Sequence, residues 1–483
     1  MMTLTNIDTL WTTSDAALST PRPTARHAHL VGIGGAGMRS LAEVLAGQGW
    51  SISGSDTCPH AVRELGRTGV QVRRAHRREH VPLDTDLLVY SSAIDDDNPE
   101  RHFAAERGIP ARSYAEMLGR LSAGKCSLAV AGTHGKSTTT AMAAEILAKG
   151  GADPTVVCGA VPLGAGSGGR AGRGDMVLVE ACEYRQNFLN LRPEIAVVTG
   201  IEPDHFDCYA TLDDVVDAFG RFIERIAIHG VVIIWDGCPT AQRLASEAGR
   251  RHVTYGFKAD SDWRAEKLSS DLGCYRFRIL RDSNPLAEIT LQTPGRHNVL
   301  NALAAAAMTY EAGASAEAIS QGLSSFRGLH RRLEVTQIPG GQTLLDDYAH
   351  HPSEIVAALA AAAEMFPRRK IWSVFQPHQQ SRTAHLLDEF ADSLQNADAV
   401  AVLDVFCARE DSPRRGDVTA DDLARAIETR GTPSLSAHQA APLIEELSDR
   451  VESDDVIVIL GAGDIWKLRN ELLDRFQNLP AGR

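Results

Sequence analysis

The chain has 483 residues, room for about three domains at the usual ~100–200 residues each, with 49 Lys and Arg against 62 Asp and Glu and a formal net charge of −13. That balance argues against nucleic acid as a main partner, because a phosphate backbone needs a basic face. No apolar run approaches the ~20 residues of a membrane span, residues 1–25 lack a basic leader followed by an apolar core, and the eight cysteines form no C-x-x-C pair. The expectation is a soluble cytoplasmic protein, bound to no membrane, without a disulfide framework or a cysteine zinc site; no oligomeric state follows.

Residues 1–25 read as a short mobile tail. The first block, "HAHLVGIGGAGMRSLAEVLAGQGWSISGSD", predicts a strand ending near Ile33, a glycine turn, a helix to about Ala46 and a second strand to Asp56. "DLLVYSSAI" is a further buried strand, and the block fades around Leu121–Gly124. Gly32-Ile33-Gly34-Gly35-Ala36-Gly37 is a G-x-G-x-x-G between strand and helix, where backbone N–H groups can receive a pyrophosphate. Asp56 lies 19 residues beyond Gly37, placed to meet a ribose hydroxyl. Alone, this suggests a nicotinamide dinucleotide enzyme, a pyrophosphate from another carrier, or a glycine turn needed for packing.

The second block opens with "AVAGTHGKSTTTAMAAEIL", Ala129–Leu147: buried strand, glycine turn, helix. Gly132-Thr133-His134-Gly135-Lys136-Ser137 resembles a phosphate loop, shortened because Val130 stands where the first glycine belongs. Lys136 can reach β- and γ-phosphates and the Ser137 hydroxyl can ligate Mg²⁺. "DMVLVEAC", "EIAVVTGI" and "GVVIIW" are core strands, and the Gly/Ala-rich stretch between Cys158 and Asp175 is a hairpin or flexible loop. Glu180 ends one strand with Glu183 just beyond, a pair suited to a metal and a substrate amine; His205 follows the next strand as a ligand or a structural residue. In the helix "RHNVLNALAAAAMTYEAG", Asn298 and Asn301 share a face. They suit an adenine edge, or Asn298 caps the helix.

The third block follows "FRGLHRRLEV", whose Arg331-Arg332 can neutralise phosphate at a hinge or lie on the surface. Strand–helix alternation resumes, and "DDYAHHPSEI" and "FQPHQQSRT" set Asp347, His350, His351, His378 and Arg382 at strand ends. Five such polar residues at two strand ends favour a site. The three blocks predict α/β layers with mostly parallel sheets.

In order, GTHGKS, E-A-x-E, D-H-x-D, H-N-x-x-N-x-x-A, R-R-L-E, D-D-Y-A-H-H-P-S-E and F-Q-P-H-x-x-x-R-T resemble the Mur ligase family over nearly the whole chain. The resemblance implies a Rossmann-like domain for a UDP-sugar (26–123), a central P-loop-type ATPase domain (124–334) and a C-terminal Rossmann-like domain (335–483). Within the family, G-I-G-G-A-G-M and D-D-Y-A-H-H-P point to the group that joins L-alanine to UDP-N-acetylmuramate with ATP and Mg²⁺, the first peptide bond of the peptidoglycan stem.

By the same resemblance the pyrophosphate at Gly34, Gly35, Ala36 and Gly37 belongs to UDP, with Asp56, His76, Ser91 and Ser92 nearby. Gly132, Thr133, His134, Gly135, Lys136, Ser137 and Thr138 hold the ATP phosphates, His297, Asn298 and Asn301 its base. Arg332 and Asp347 reach the nucleotide from hinge and third domain. Ser137, Glu180 and His205 hold Mg²⁺. Tyr348, His351, His378 and Arg382 hold alanine and the muramoyl group, and Lys136, Glu183, His351 and Arg382 act in catalysis.

Departures from the family pattern fall at Cys182, Tyr184 and Arg185 (commonly E-A-D-E-S-D), at Gly200 (commonly Asn) and at Gln379 and Gln380 (commonly Arg-Tyr). A peptide-joining murein ligase, a UDP-sugar sensor with a degraded site and an NAD-dependent oxidoreductase are the competing readings. The last leaves GTHGKS and both asparagines unexplained.

Overall fold

The computed structural model describes residues 26–67, 69–407 and 416–477. The N-terminal tail read from the sequence lies outside them. Two compact units are present: the described residues up to Met38 with Leu45–Ser113, and Arg39–Val44 with Tyr114 onward.

The first unit carries a five-stranded parallel sheet: β1 (His27–Val31), β2 (Ser51–Asp56), β3 (Gln71–Arg74), β4 (Leu87–Tyr90) and β5 (Ala111–Ser113), in the order β3-β2-β1-β4-β5. The first strand stops at Val31, two residues sooner than its apolar run suggests, because Gly32 already turns at φ +76°. Strand order reverses between β1 and β4, and an open parallel sheet leaves a crevice at such a point.

In the second unit the described strands make two sheets. One has ten strands: β6 (Cys126–Ala131), β7 (Thr155–Val157), β8 (Gly169–Arg170), β9 (Met176–Glu180), β10 (Ile195–Val198), β11 (Val231–Trp235), β12 (Arg251–Gly256), β13 (Trp263–Asp271), β14 (Cys274–Arg281) and β15 (Asn284–Pro294). Their order is β15-β14-β13-β12-β11-β10-β6-β9-β7-β8, parallel from β13 to β7 and antiparallel at both edges. The Gly/Ala-rich stretch supplies β8, a short hairpin partner of β7.

The other has six: β16 (Glu334–Gln337), β17 (Thr343–Asp347), β18 (Ile371–Phe375), β19 (Ala399–Leu403), β20 (Ser434–Ala437) and β21 (Val456–Leu460), ordered β16-β17-β21-β18-β19-β20 and antiparallel only at β16. Strands covered by helices on both faces read as continuous apolar runs, and every residue of β10, β18, β19 and β21 is buried.

The helix Arg296–Glu311 is buried almost all round, which its alanines permit, and Thr309 hides its hydroxyl on the Ala305 carbonyl at 2.7 Å. Across the ten-stranded sheet, Phe188 stacks on Phe222 (centroids 4.7 Å) and meets Phe219 edge-on (5.2 Å). Phe219 is fully buried, so Phe219→Ala should cost about 3–5 kcal/mol and lower the urea midpoint of this unit by the matching amount.

Candidate active site

In the first unit the glycine turn is braced by Asp56. Its carboxylate accepts from the Gly34 N–H (2.7 Å) and the Cys58 N–H (2.8 Å), and a Cβ at Gly34 would lie 2.7 Å from it. Both Asp56 oxygens thus already serve the loop. His76 reaches Ser55 Oγ at 2.8 Å, and the Ser91 N–H closes on the Val31 carbonyl beside the turn, bringing Ser91 and Ser92 to the end of β4. At the centre is Glu100, fully buried, accepting from Ser55 Oγ (2.6 Å) and the Arg77 N–H (2.9 Å) and facing His29 at 3.4 Å. No motif marks it, since "DDDNPERHF" has the composition of a solvated loop.

In the second unit β9, β6 and β10 are adjacent, and chain order reverses around β6. Their carboxyl ends therefore deliver three loops to one place. Gly132 (φ +129°) and Gly135 (φ +77°) admit no side chain: a Cβ would meet Thr199 Oγ1 at 2.1 Å or Asn301 Oδ1 at 2.4 Å. Lys136 starts the helix Lys136–Lys149 and curls back to the Thr133 carbonyl and Glu183, both at 3.0 Å. Burial disfavours its charge, but the Glu183 carboxylate outweighs burial and holds the ammonium protonated. Glu183 is held ionised by the same pair against its own burial. It also accepts from His205 Nε2 at 3.2 Å, while Tyr209 donates to its backbone carbonyl at 2.6 Å.

Ser137 Oγ donates to Glu180 Oε1 (2.9 Å), whose other oxygen accepts from the Gly159 N–H (2.6 Å). Ser137 and Glu180 thus pair directly, whereas His205 contacts Glu183. His205 sits at φ +56°, with the Tyr184 ring edge-on at 5.2 Å. Tyr184, a departure from the family pattern, also donates to Asp207 (3.1 Å). Cys182, another departure, has its thiol pushed up to about 12 by burial and by the Glu183 charge, so a neutral group stands where the family commonly has a carboxylate.

Beside this loop lies a pocket whose lining includes Thr138, Trp235, His297, Asn298, Asn301 and Arg332. Gly295, not Asn298, caps the helix; Asn298 donates to the Pro294 carbonyl (2.7 Å) and accepts from Asn301 (3.0 Å). A side chain at Gly200 would meet the Trp235 ring at 3.7 Å, so the absent asparagine leaves that wall to the indole. Burial, then Arg332, depresses His297 to about 4, leaving it neutral. Asp347 accepts from the Leu333 and Ala349 N–H groups (2.8 and 2.7 Å), and burial lifts it to about 6 although Arg332 opposes.

The loops after β17 and β18 meet those after β6 and β10. His351 Nε2 reaches the Pro203 carbonyl at 3.2 Å, and Arg382, 2 % exposed, pairs with Asp204 at 2.6 Å. The Arg382 charge is thus answered inside the protein. His378 Nδ1 lies 3.2 Å from Arg382, and Tyr348 is flanked by Arg331 and Arg332. Glu202, Asp204 and Glu354, which sequence reasoning passed over, make the cross-contacts; their only cue was position inside I-E-P-D-H and P-S-E.

Residues 27–125 match the profile "Mur ligase family, catalytic domain", 130–309 "Mur ligase middle domain" and 331–463 "Mur ligase, glutamate ligase domain". The chain belongs to the Mur ligase family. This Mur ligase is 42 % identical to a UDP-N-acetylmuramate–L-alanine ligase of Salinibacter ruber over 94 % of its length and 95 % of the relative's, and 41 % identical to one of Anaeromyxobacter over 92 % and 96 %. Among solved structures it resembles the UDP-N-acetylmuramate–alanine ligase of Thermotoga maritima, with a TM-score of 0.78 and 27 % identity over 93 % of this chain and 99 % of that one. A murein peptide ligase of Psychrobacter arcticus shares the fold at TM-score 0.71 and 24 % identity, covering 95 % of this chain and all of that one. Mur ligases use ATP, and among the described residues no helix is long and apolar enough to cross a membrane.

Where the lobes of the Mur ligase meet, His134 lies between Glu354 (3.2 Å) and Glu202 (3.5 Å). Burial lowers its pKa, but the Glu354 charge, then the close approach of both carboxylates, raises it from 6.5 to about 9. Chiefly through the nearby His134 imidazole, Glu202 falls from 4.5 to about 2. A raised histidine pKa contributes stability that is complete below pH 6.5 and lost as pH rises through 9. A lowered carboxylate pKa contributes above pH 4.5 and is lost as pH falls towards 2. Thermal unfolding of the second unit should therefore be favoured least between pH 4.5 and 6.5 by this pair, and His134→Gln should flatten the decline between pH 6.5 and 9. Parallel slopes for the two proteins would refute the coupling.

Proposed function

We propose that the chain joins L-alanine to the carboxylate of UDP-N-acetylmuramate with ATP, making the first peptide bond of the peptidoglycan stem. The observation that carries the reading is the convergence, at the ends of β6, β9 and β10, of a phosphate loop, a buried lysine and a carboxylate–hydroxyl pair, facing two histidine-bearing loops of the next sheet. Relatives about 40 % identical over nearly their whole length carry that activity in their names. In this reading residues 26–123 take the UDP-sugar, 124–334 the ATP, and 335–483 the amino acid while closing on the nucleotide. Such an enzyme works in the cytoplasm, where ATP and nucleotide sugars are made.

The chemical need is plain. A carboxylate repels an amine and would have to expel oxide, so its oxygen must first be made a leaving group. Transfer of the ATP γ-phosphoryl gives an acyl phosphate; the alanine amine attacks the carbonyl and phosphate departs. Positioning and charge neutralisation are what the protein supplies. Lys136 is held protonated and within reach of the loop that would bear the β- and γ-phosphates. Asn298 and Asn301, backed by neutral His297, offer amide edges to the base, and Arg332 and Asp347 approach the nucleotide from the hinge side. Ser137 and Glu180 present paired oxygens of the kind Mg²⁺ prefers, and these two with His205 would hold it. When bound, that ion would neutralise phosphate charge.

Glu183 positions Lys136 and His205 and is the group nearest to them that can accept a proton from the amine. Tyr348, His351 and His378 would hold alanine and the muramoyl group, whereas Arg382 can offer its charge to a substrate carboxylate only by loosening Asp204. In the first unit the amides of Gly34–Gly37 would receive the UDP pyrophosphate, with His76, Ser91 and Ser92 beside the turn and Asp56 bracing it.

Phosphate release with ATP, Mg²⁺ and UDP-N-acetylmuramate should depend on L-alanine; stimulation by a tripeptide and not by alanine would favour a peptide-joining enzyme instead. Lys136→Ala should lower turnover at least about 100-fold while UDP-sugar binding, measured by calorimetry, stays nearly intact. Unchanged turnover in that variant would remove the phosphate role.

A further inference from the structure

His134, Glu202 and His351 come from the loops after β6, β10 and β17, far apart in the chain. One ligand atom of each lies within 4.8 Å of the others, and Glu202 Oε2 meets Nε2 of His134 and Nδ1 of His351. The Glu202 oxygen is 3.5 Å from the first and 3.7 Å from the second, and the two imidazoles are 4.6 Å apart. His134 Nε2 is buried and makes no hydrogen bond.

The second nitrogen of each ring is already placed. His134 Nδ1 faces Glu354 Oε1 at 3.2 Å, and His351 Nε2 faces the Pro203 carbonyl at 3.2 Å. Metal-binding histidines are oriented in this way, by giving the remote N–H to a carboxylate or a backbone carbonyl, and a bound ion would take the near nitrogen of His134 in place of its proton. Ser353 Oγ donates to Glu202 Oε2 at 2.6 Å, a further outer partner. The one bond an ion would displace is the contact of the Ser353 N–H to His351 Nδ1, at 3.4 Å a weak one. Two carboxylates, Glu202 and Glu354, balance a charge of +2.

We propose that His134, Glu202 and His351 form a site for a divalent transition ion of the Zn²⁺ kind, distinct from the Mg²⁺ position at Ser137 and Glu180. Two imidazole nitrogens and one carboxylate oxygen suit a borderline-soft ion and suit Mg²⁺ poorly. His134 and Glu202 also line the pocket assigned to the nucleotide. A bound ion would tie the phosphate loop to the loop after β17 and take up two histidines that the ligase reading uses.

The test uses the full-length, metal-stripped protein in excess Mg²⁺, titrated with Co²⁺ as a spectroscopic stand-in for Zn²⁺. One equivalent should develop the visible bands of four-coordinate cobalt without a thiolate charge-transfer band, and Zn²⁺ should bleach them. His134→Gln and Glu202→Gln should each abolish that equivalent. Glu354→Gln, which leaves all three ligands in place, should weaken it by about 10–100-fold, and His205→Asn should leave it unchanged. Absence of stoichiometric Co²⁺ binding in wild-type protein overturns the proposal. So does binding that survives both ligand substitutions, or that disappears in His205→Asn while the ligand variants keep it. Because the readout is metal binding, it stands or falls separately from the ligase activity.

Discussion

A lysine ammonium withdrawn from solvent must be answered by a negative charge, and the answer to Lys136 organises the centre of this protein. Glu183 supplies it from the adjacent strand end, at a position where burial would otherwise keep a carboxyl protonated. The same carboxylate then holds His205, drawing the loop after β10 against those after β6 and β9. Breaking such a pair leaves an uncompensated buried charge, which costs far more than its net contribution when intact. The loop geometry around Lys136 is for that reason over-determined: two glycines that tolerate no Cβ, a threonine hydroxyl on the His134 carbonyl, and the Lys136–Glu183 pair all specify one conformation.

A second layer of charge joins the ten-stranded and six-stranded lobes. Asp204 meets Arg382, and Glu202 and Glu354 enclose His134. These contacts are polar where the sheet interiors are not. A polar seam is cheap to separate, because water can replace its hydrogen bonds, whereas a parted apolar face would be exposed at about 25 cal/mol per Å².

Much of the architecture was legible in the chain because fully covered parallel strands are short Val/Ile-rich runs: "IAVV", "VVIIW" and "VIVIL" became β10, β11 and β21. The meander β13–β15 was not anticipated. Its alternating polar and apolar residues, as in "CYRFRILR", belong to a sheet with one wet face and lack the continuous signal of a buried strand. Among the candidate site residues, Lys136, Ser137, Glu180, Asn298 and Asn301 stood out because glycine spacing or helical spacing frames them. Glu100, Glu202 and Glu354 did not, since a carboxylate in an acidic or loop-like stretch looks the same whether solvated or buried.

The sequence by itself determined the class of layers, the order of the motifs and the chemistry each can offer, since strand length, glycine placement and side-chain type are local properties. Tertiary structure alone decided which charges face each other. That Asp56 braces its own glycine turn, that His205 meets Glu183, and that Arg382 is neutralised by Asp204 all follow from strand order and loop approach. Pairings across 22 to 178 residues are set by how sheets stack their ends, and no spacing along the chain encodes them.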